Sequence, residues 1–297
     1  MALSYWEASL AAAARVAGIP FQRVLMLGRQ TSLLSVDVVD HVNRAYGTRL
    51  QSGLATEKWA EPFFQQLGAG EVSSLDYSDY EGAQYTHDMN QPWPNGTPPG
   101  QFDVVFDGGT LEHVFNLSQG LLNAMSLVRV GGHYLGASPG DGWLGHGFHQ
   151  LQPELFFRFF TSERGFVIKG VWLAEFGREP ESSHLFKLKD PAECGCRNLV
   201  PGRRPLTILV CAEKTTEVAV PPVWPGQSNY TAMWQGSSET SEMAKRSAIG
   251  SLKHLAFGLL PKTLRSTIKA RLIAKKHERL ALKSWEEATI VQLDRLA

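Results

Sequence analysis

The chain has 297 residues, of which 43% are hydrophobic and 20% charged, and its 29 basic side chains balance 29 acidic ones. This composition is typical of a globular protein with enough apolar residues for a core, and it excludes wholesale disorder. The zero net charge disfavours a generally basic nucleic-acid binder, so no nucleic-acid partner is expected. No run of about 18 apolar residues occurs, and no membrane-spanning segment is predicted.

Strand and helix patterns alternate along the first 213 residues. Short apolar runs that end in Gly, Asp or Asn are typical of buried parallel strands, and spacings of three and four between apolar residues indicate helices. The predicted strands are 23–28, 71–76, 83–86, 102–107, 133–137, 166–174 and 206–213. The predicted helices are 3–17, 33–46, 56–67, 110–128 and 153–160. This alternation predicts an α/β fold with a mostly parallel sheet, in which ligands bind beyond the carboxyl ends of the strands.

Four segments, at Asp76, Asp88-Met89, 102–114 and 127–132, stand in the order found in class I S-adenosyl-L-methionine (SAM)-dependent methyltransferases and resemble them. The stretch 102–114, Phe-Asp-Val-Val-Phe-Asp-Gly-Gly-Thr-Leu-Glu-His-Val, is similar to the family's fourth strand and following helix. Residues 127–132 are similar to its turn before strand five, and Asp76 and the pair Asp88-Met89 match two further positions. The resemblance covers about residues 20–213. It implies a Rossmann-like fold with a central, mostly parallel seven-stranded sheet and helices on both faces.

The resemblance implies SAM as the cofactor and assigns residues to it. A ribose diol needs a bidentate acceptor, which the Asp76 carboxylate supplies at a strand end. Adenine would lie between Asp88 and Met89, with Tyr77 as a stacking wall. From the residues alone, two alternatives stay open: Asp76 as a helix cap and Asp88 as a turn residue. The implied cofactor-binding set is Gly28, Arg29, Gln30, Asp76, Tyr77, Asp88, Met89, Asp107 and Gly109.

The loop after the first strand departs from the family pattern. The family has three glycines there, whereas this chain reads Gly28-Arg29-Gln30-Thr31. Glycines allow the backbone to approach the methionine portion of the cofactor. Two alternatives follow: Arg29 contacts the cofactor carboxylate, or the side chains of Arg29 and Gln30 fill its place and the site is inactive.

Histidines supply the candidate catalytic groups. His146 and His149 lie in a glycine-rich loop after the fifth predicted strand, and His113 follows the fourth. An imidazole titrates near neutral pH and can act as a general base. Some methyltransferases hold a divalent metal with a Glu-x-x-Glu-His motif. Glu112 and His113 match its last two positions, but Gly109 replaces the first Glu.

No metal is therefore predicted, although Glu112, His113 and His146 are the candidate ligands if one binds. The remaining alternative is a purely structural histidine loop.

The cysteines and the N-terminal stretch bear on the cellular compartment. Cys194, Cys196 and Cys211 are too few and too clustered for a disulfide framework. Cys194 and Cys196 could form half of a zinc site, but no second cysteine pair follows at the usual spacing. The N-terminal stretch has Glu7 before a short alanine-rich run, unlike a signal peptide. These features predict a cytoplasmic protein.

Basic residues are concentrated in residues 245–283, which hold eleven lysines and arginines and one acid, Glu278. Subtracting these from 29 and 29 leaves 18 basic and 28 acidic residues in the rest of the chain. Apolar spacing there predicts amphipathic helices separated by Pro261. Such a segment can bind a membrane surface or a protein partner, and it can also pack on the acidic body or form a homodimer.

The predicted organisation is a methyltransferase-like domain over 1–215, a linker over 216–240 and a basic helical extension over 241–297. The predicted function is methyl transfer from SAM to an oxygen or nitrogen of a small molecule or glycan. The alternative is a catalytically inactive methyltransferase-fold scaffold or regulator that works through its basic tail. The protein is predicted to be cytoplasmic, with association at the periphery of a membrane as an option.

Overall fold

The chain divides into two compact units in the computed structural model. The first unit comprises 1–188, 202–223 and 287–297, and the second comprises 189–201 and 224–286. The structure describes residues 2–94, 101–175, 183–199, 204–218, 224–234, 271, 275 and 284–288. Most of the predicted linker and basic extension lies outside these residues, so those boundaries stay predictions. None of the described helices has the length and hydropathy that a membrane span requires.

The described elements follow the predicted alternation in the first unit. Its helices are α1 (Tyr5–Val16), α2 (Val36–Tyr46), α3 (Glu61–Gln66), α4 (Leu117–Leu127) and α5 (Pro153–Phe159). Its strands are β1 (Ala2–Leu3), β2 (Arg23–Leu27), β3 (Thr31–Ser32), β4 (Glu71–Asp76), β5 (Tyr85–Thr86), β6 (Phe102–Gly108), β7 (Val128–Pro139), β8 (Phe166–Glu175), β9 (His184–Leu188) and β10 (Leu206–Lys214). In the second unit, α6 is Pro191–Cys194 and α7 is Ser228–Trp234. The strand β11 (Trp285–Ala288) spans the boundary between the units along the chain.

The prediction of one continuous helix over 110–128 is wrong. A single 3-10 turn, Leu111–His113, is followed by the extended residue Val114, and α4 begins only at Leu117. The side chain of Asn116 accepts a hydrogen bond from the backbone N–H of Gln119, which is the capping interaction that starts a new helix. This break leaves Glu112 and His113 on a short turn at the sheet edge.

The main sheet of the first unit has eight strands in the order β5-β4-β2-β6-β7-β10-β8-β9. The first five run parallel, and β10 is antiparallel to both β7 and β8. The α/β class and the mostly parallel sheet are therefore confirmed. The prediction of seven strands is wrong by one, because β9 adds an antiparallel edge strand beside β8.

Strand order locates the place where a ligand would bind. These five strands can be numbered by their order along the chain. Across the sheet from β5 to β7 they then read 3-2-1-4-5, which is the doubly wound order. The chain reverses direction across the sheet between β2 and β6. In such sheets the crevice beyond the carboxyl ends of these two strands is the usual ligand site.

Two helical layers cover the sheet. Alternate buried residues of β2, β6 and β7, such as Met26, Phe106 and Leu135, belong to one apolar core together with residues of α1, α2 and α3. Because side chains alternate across a strand, the intervening residues face the opposite layer. There α4 packs on β6 and β7, and α5 packs on β8. The helix α1 begins with a capping box between Ser4 and Glu7.

The N-terminal segment also reaches the carboxyl edge of the sheet. The strand β1 pairs in parallel with β3, with Ala2 opposite Thr31 and Leu3 opposite Ser32. Since β3 follows the end of β2 closely, this pairing brings the start of α1 next to the crevice.

We predict that Gly132→Ala lowers the free energy of unfolding by about 1–3 kcal/mol, the range for overpacking in a rigid site. A Cβ atom there would lie 2.8 Å from the backbone oxygen of Phe102 and 2.9 Å from that of Asp103, and neither atom can move without distorting β6. Gly53→Ala is the matched control, because a Cβ atom at Gly53 meets nothing within 4 Å. Urea titrations of the two variants should differ, and equal midpoints would contradict the prediction.

Candidate active site at the carboxyl edge of the sheet

The structure brings Asp76 next to the loop that follows β2. Gly28 ends that strand with φ at 67°, a conformation that favours glycine. Its backbone N–H donates to the carbonyl of Leu75 at 2.7 Å, and the N–H of Arg29 lies 3.4 Å from Asp76 Oδ2. Asp76 therefore faces the glycine turn from the neighbouring strand, as the predicted ribose site requires.

The Asp76 carboxylate keeps acceptor capacity beyond these contacts. Its Oδ1 accepts a hydrogen bond of 2.7 Å from the backbone N–H of Tyr77. A carboxylate has about four acceptor sites, so this bond and the long contact from Arg29 leave room for a further donor. The Tyr77 side chain is 75% exposed and stands beside the carboxylate in solvent.

Asp88 and Met89 lie where the chain leaves β5. Asp88 Oδ1 accepts from the backbone N–H of Asn90 at 2.9 Å and from its side-chain amide at 2.7 Å. These hydrogen bonds lower the pKa of Asp88. Asp88 Oδ1 therefore makes the hydrogen bonds expected of a turn residue. Met89 is buried, and its carbonyl accepts from Asn123 of α4.

Arg29 is engaged within the protein and does not point freely into the crevice. Its Nε donates to Glu61 Oε1 at 2.7 Å, and another guanidinium N–H donates to the Glu81 carbonyl at 2.7 Å. The guanidinium carbon also lies 4.5 Å from the centroid of the Trp59 ring, a cation–π contact. A cofactor carboxylate could reach Arg29 only by sharing or replacing these partners.

Gln30 fills the crevice between the ends of β2 and β6. Its side chain is fully buried and donates from Nε2 to the Leu27 carbonyl at 2.6 Å. The same carbonyl accepts from the Thr110 hydroxyl at 2.5 Å. A Cβ atom on Gly108 would lie only 2.6 Å from Gln30 Oε1, so the amide packs directly on the glycine backbone. Gln30 is therefore packed between the ends of β2 and β6, whereas the Arg29 side chain is held by Glu61 and Trp59.

Two buried acids, Asp107 and Glu112, lie at the end of β6 and in the turn after it. Asp107 is wholly buried and accepts from the Thr110 N–H at 2.8 Å and from the Tyr134 hydroxyl at 2.9 Å, while burial raises its pKa. Burial, reinforced by the charge of Asp107, raises the pKa of Glu112 to about 8. Gly109 has φ at 91°, and a Cβ atom there would lie 2.9 Å from Glu112 Oε1. A glycine is therefore required for Glu112 to occupy this position.

Glu112 also gathers two of the predicted histidines. Its Oε1 lies 3.5 Å from His146 Nε2 and 3.9 Å from His113 Nε2. The two imidazole rings are 5.2 Å apart, and burial, followed by the charge of His146, lowers the pKa of His113. One ligand atom from each of these three residues lies within 4.8 Å of the others, so together they could hold a divalent ion.

His149 is not part of this group. Its Nε2 lies 3.2 Å from the carbonyl oxygens of both Val114 and Phe115, and its backbone N–H donates to the Glu112 carbonyl. It therefore fastens the glycine-rich loop to the turn that carries Glu112. Its catalytic role stays a prediction, but its contacts are those of a positioning residue.

A pocket of about 240 Å³ opens beside Glu112. The N-terminal segment forms one wall, and the ends of β6 and β7 form the opposite one. The lining residues are Ala2, Ser4, Glu7, Leu33, Gly108, Gly109, Glu112, Ala137, Ser138, Pro139, Trp143, His146 and Thr207.

Sequence reasoning missed Glu7, which lines this pocket from the first turn of α1. Its carboxylate accepts hydrogen bonds from the backbone N–H and the hydroxyl of Ser4, and burial raises its pKa. The available signal was one acid on the buried face of an otherwise apolar helix. That signal also fits an ordinary capping box, so it could not have singled out a site.

No protein-family model and no curated protein sequence matches this chain. Solved structures similar to it include the trans-methyltransferase CalH in complex with SAH, at 16% identity and a TM-score of 0.37, over 71% of this chain. The chain spans 57% of the length of CalH. A SAM-dependent methyltransferase from Archaeoglobus fulgidus is 13% identical, with a TM-score of 0.34, over 70% of this chain and 94% of that one.

A SAM-dependent methyltransferase from Thermotoga maritima is 12% identical to this chain, with a TM-score of 0.35, over 71% of this chain and 91% of that one. The fold assignment itself rests on the strand order and register of this chain's own sheet.

The pKa of Glu112 makes stability depend on pH in a defined direction. Between its ordinary value of 4.5 and about 8, the folded state keeps a proton that the unfolded state releases. Stability therefore falls as the pH rises through this window and levels off above it. From about pH 5.5 to about pH 7.5, we expect this group to lower the free energy of unfolding by up to about 1.4 kcal/mol per pH unit.

Urea titrations of Glu112→Gln should show a flatter dependence on pH, because the variant lacks this titration. Glu57→Gln, at an exposed position, should follow the unsubstituted protein. Identical slopes for Glu112→Gln and the unsubstituted protein would show that Glu112 titrates normally.

Proposed function

We propose that this chain is a SAM-dependent methyltransferase that transfers a methyl group to an oxygen or nitrogen of a small molecule or glycan. The observation that carries the proposal is the position of Asp76. Its carboxylate ends β4 directly beside the Gly28 turn, at the point where a doubly wound sheet reverses its strand order. An adenosine ribose placed there would meet a carboxylate on one strand and a glycine backbone on the next.

The adenosine half of the cofactor fits the residues at this edge. Asp76 would accept the two ribose hydroxyls. Asp88 uses Oδ1 within its own turn, so Oδ2 is the oxygen that would accept the adenine amino group. Tyr77, which is largely exposed, would cover the ring by stacking.

The methionine half of the cofactor would enter the crevice that Gln30 fills. Because Gln30 Oε1 is buried without a hydrogen-bond partner, displacing this side chain breaks one favourable hydrogen bond and releases one unsatisfied atom. Thr110 would still satisfy the Leu27 carbonyl after the displacement. The crevice can therefore open at a modest cost, about 0.5–1.5 kcal/mol for a typical hydrogen bond.

The acceptor would occupy the pocket beside Glu112. When bound, SAM supplies an electrophilic methyl group on a sulfonium ion. His146 Nε2, 3.5 Å from Glu112 Oε1, would take the proton of the acceptor, and Glu112 would orient the imidazole. Trp143 and the N-terminal segment would keep water from the acceptor. Most of the catalysis would come from positioning the acceptor for in-line attack.

A catalytically inactive scaffold is the second candidate, and the filled crevice favours it. On this interpretation Gln30 would block the place of the methionine portion, and Arg29 is bound to Glu61 and Trp59. In that case function would depend on the basic segment 245–283, most of which lies outside the described residues. A protein partner or an anionic membrane surface would then be the target.

Calorimetric titration with S-adenosylhomocysteine tests the cofactor site. We expect Asp76→Asn to weaken binding by about ten- to hundredfold, since a hydrogen bond to a charged group contributes about 1.5–3 kcal/mol. Asp79→Asn is the matched control, because Asp79 is exposed and three residues away. Equal affinities in the two variants would remove Asp76 from the site, and no binding by any form would favour the scaffold.

The Gln30→Ala variant tests whether the Gln30 side chain obstructs the cofactor or contacts it. If Gln30 must be displaced, its removal should tighten S-adenosylhomocysteine binding by about two- to tenfold, the equivalent of the hydrogen bond that is broken. Gln65→Ala, at an exposed position on α3, should bind as the unsubstituted protein does. Weaker binding by Gln30→Ala would contradict obstruction and make Gln30 a cofactor contact.

A further inference from the structure

The pocket beside Glu112 is acidic on two sides. Glu7 lines it from α1, and Glu112 lines it from the turn after β6. Among the described lining residues there is no lysine or arginine. Both carboxyl groups are buried, with 7% of Glu7 and 1% of Glu112 exposed.

Glu112 has an unused acceptor inside this pocket. Its Oε2 is buried and has no hydrogen-bond partner, whereas Glu7 at least accepts from Ser4. A buried polar atom without a partner costs about 1–3 kcal/mol, so an unpaired carboxylate oxygen that lines a pocket indicates a missing donor. A molecule or ion bound in the pocket can supply this donor.

The electrostatic environment favours a cationic donor. Two buried carboxyl groups, those of Glu7 and Glu112, belong to the lining of this pocket, and the lining has no basic side chain of a lysine or arginine to balance them. A positive charge placed among them would favour the ionised carboxylates and be bound by them.

The rest of the lining suits an organic cation better than a hydrated metal ion. Leu33, Pro139 and Trp143 form apolar and aromatic walls, and an indole face attracts cations. A metal held by Glu112, His113 and His146 would leave Glu7 and these walls without a role. An organic ammonium uses both carboxylates and the walls together.

We infer that the pocket takes a small organic amine in its protonated form, with the ammonium group between Glu112 and Glu7 and the apolar part against Leu33, Pro139 and Trp143. This inference rests on the proposed function and names the acceptor class within it: an amine nitrogen.

The transfer step balances with the groups at hand. The ammonium first gives one proton to His146 Nε2, the base of the proposed function, which frees the nitrogen lone pair while Glu112 holds the resulting imidazolium. The nitrogen then forms a bond to the methyl carbon, and the carbon–sulfur bond breaks with its electron pair left on sulfur. The positive charge moves from the sulfonium to the methylated nitrogen, and the sulfur becomes a neutral thioether.

Calorimetric titration of the full chain with two amines and their matched alcohols tests the inference. The probes are 2-phenylethylamine against 2-phenylethanol and cyclohexylamine against cyclohexanol, each with and without S-adenosylhomocysteine. We expect at least one amine to bind at least about tenfold more tightly than its alcohol, because a buried charged pair is lost in the alcohol. Equal binding within both pairs, or no amine binding, would overturn the inference.

Variants assign the binding to the two carboxylates. Glu112→Gln and Glu7→Gln should each weaken amine binding by about tenfold or more and leave alcohol binding unchanged. Glu57→Gln should change neither. Thermal melts check folding, and Glu112→Gln serves alone if Glu7→Gln loses the α1 cap and unfolds. Amine binding that is unaffected by Glu112→Gln would overturn the inference.

Three further outcomes distinguish the inference from a metal site and from the proposed function. Titration with ZnCl₂, MnCl₂ or MgCl₂ that excludes the amines and depends on Glu112 and both histidines would make the site a metal site and overturn the amine assignment. S-adenosylhomocysteine binding without amine binding would leave the proposed function standing and overturn the inference alone. Amine binding without S-adenosylhomocysteine binding would support an amine site and count against the methyltransferase.

Discussion

The carbonyl of Leu27 at the end of β2 ties the candidate site together. It accepts hydrogen bonds from the Gln30 amide and the Thr110 hydroxyl, so the loops after two adjacent strands close on one atom. A strand end at the reversal of strand order leaves backbone acceptors that have to be satisfied. Here Gln30 and Thr110 satisfy the Leu27 carbonyl, and Gln30 fills the crevice between the strand ends. The open space therefore lies beside Glu112 and the N-terminal segment.

That open space is unusual because it is lined by buried acids. Of the two acids that line it, Glu7 has a hydrogen-bond partner in Ser4, but one oxygen of Glu112 has none. Burying the Glu112 carboxyl group costs free energy, and the apolar core on both faces of the sheet has to offset that cost. Because Glu112 keeps an unsatisfied oxygen at the pocket wall, it favours a ligand that donates a hydrogen bond. The same residue therefore affects both ligand binding and the stability of the protein.

Particular elements show how far sequence reasoning reached. The runs 23–28, 71–76 and 102–107 predicted β2, β4 and β6 to within a residue or two, because continuous apolar segments bounded by Gly and Asp leave few alternatives. The helix predicted over 110–128 failed at its start, since Asn116 caps a new helix and local periodicity does not register such a break. The eighth strand, β9, was missed because its pairing with β8 is a tertiary contact that no local pattern in the sequence predicts.

By itself, the amino-acid sequence determined the α/β class, the order of the strands along the chain and the set of polar residues that end them, because hydrophobic periodicity and strand-terminal acids are local properties. It also raised the question of Arg29 and Gln30 without answering it. Tertiary structure alone decided that Gln30 turns back to Leu27, that His146 joins Glu112 while His149 does not, and that Glu7 faces the same pocket. These outcomes depend on which distant segments meet at the sheet edge, and that proximity is set by packing and by the β1–β3 pairing.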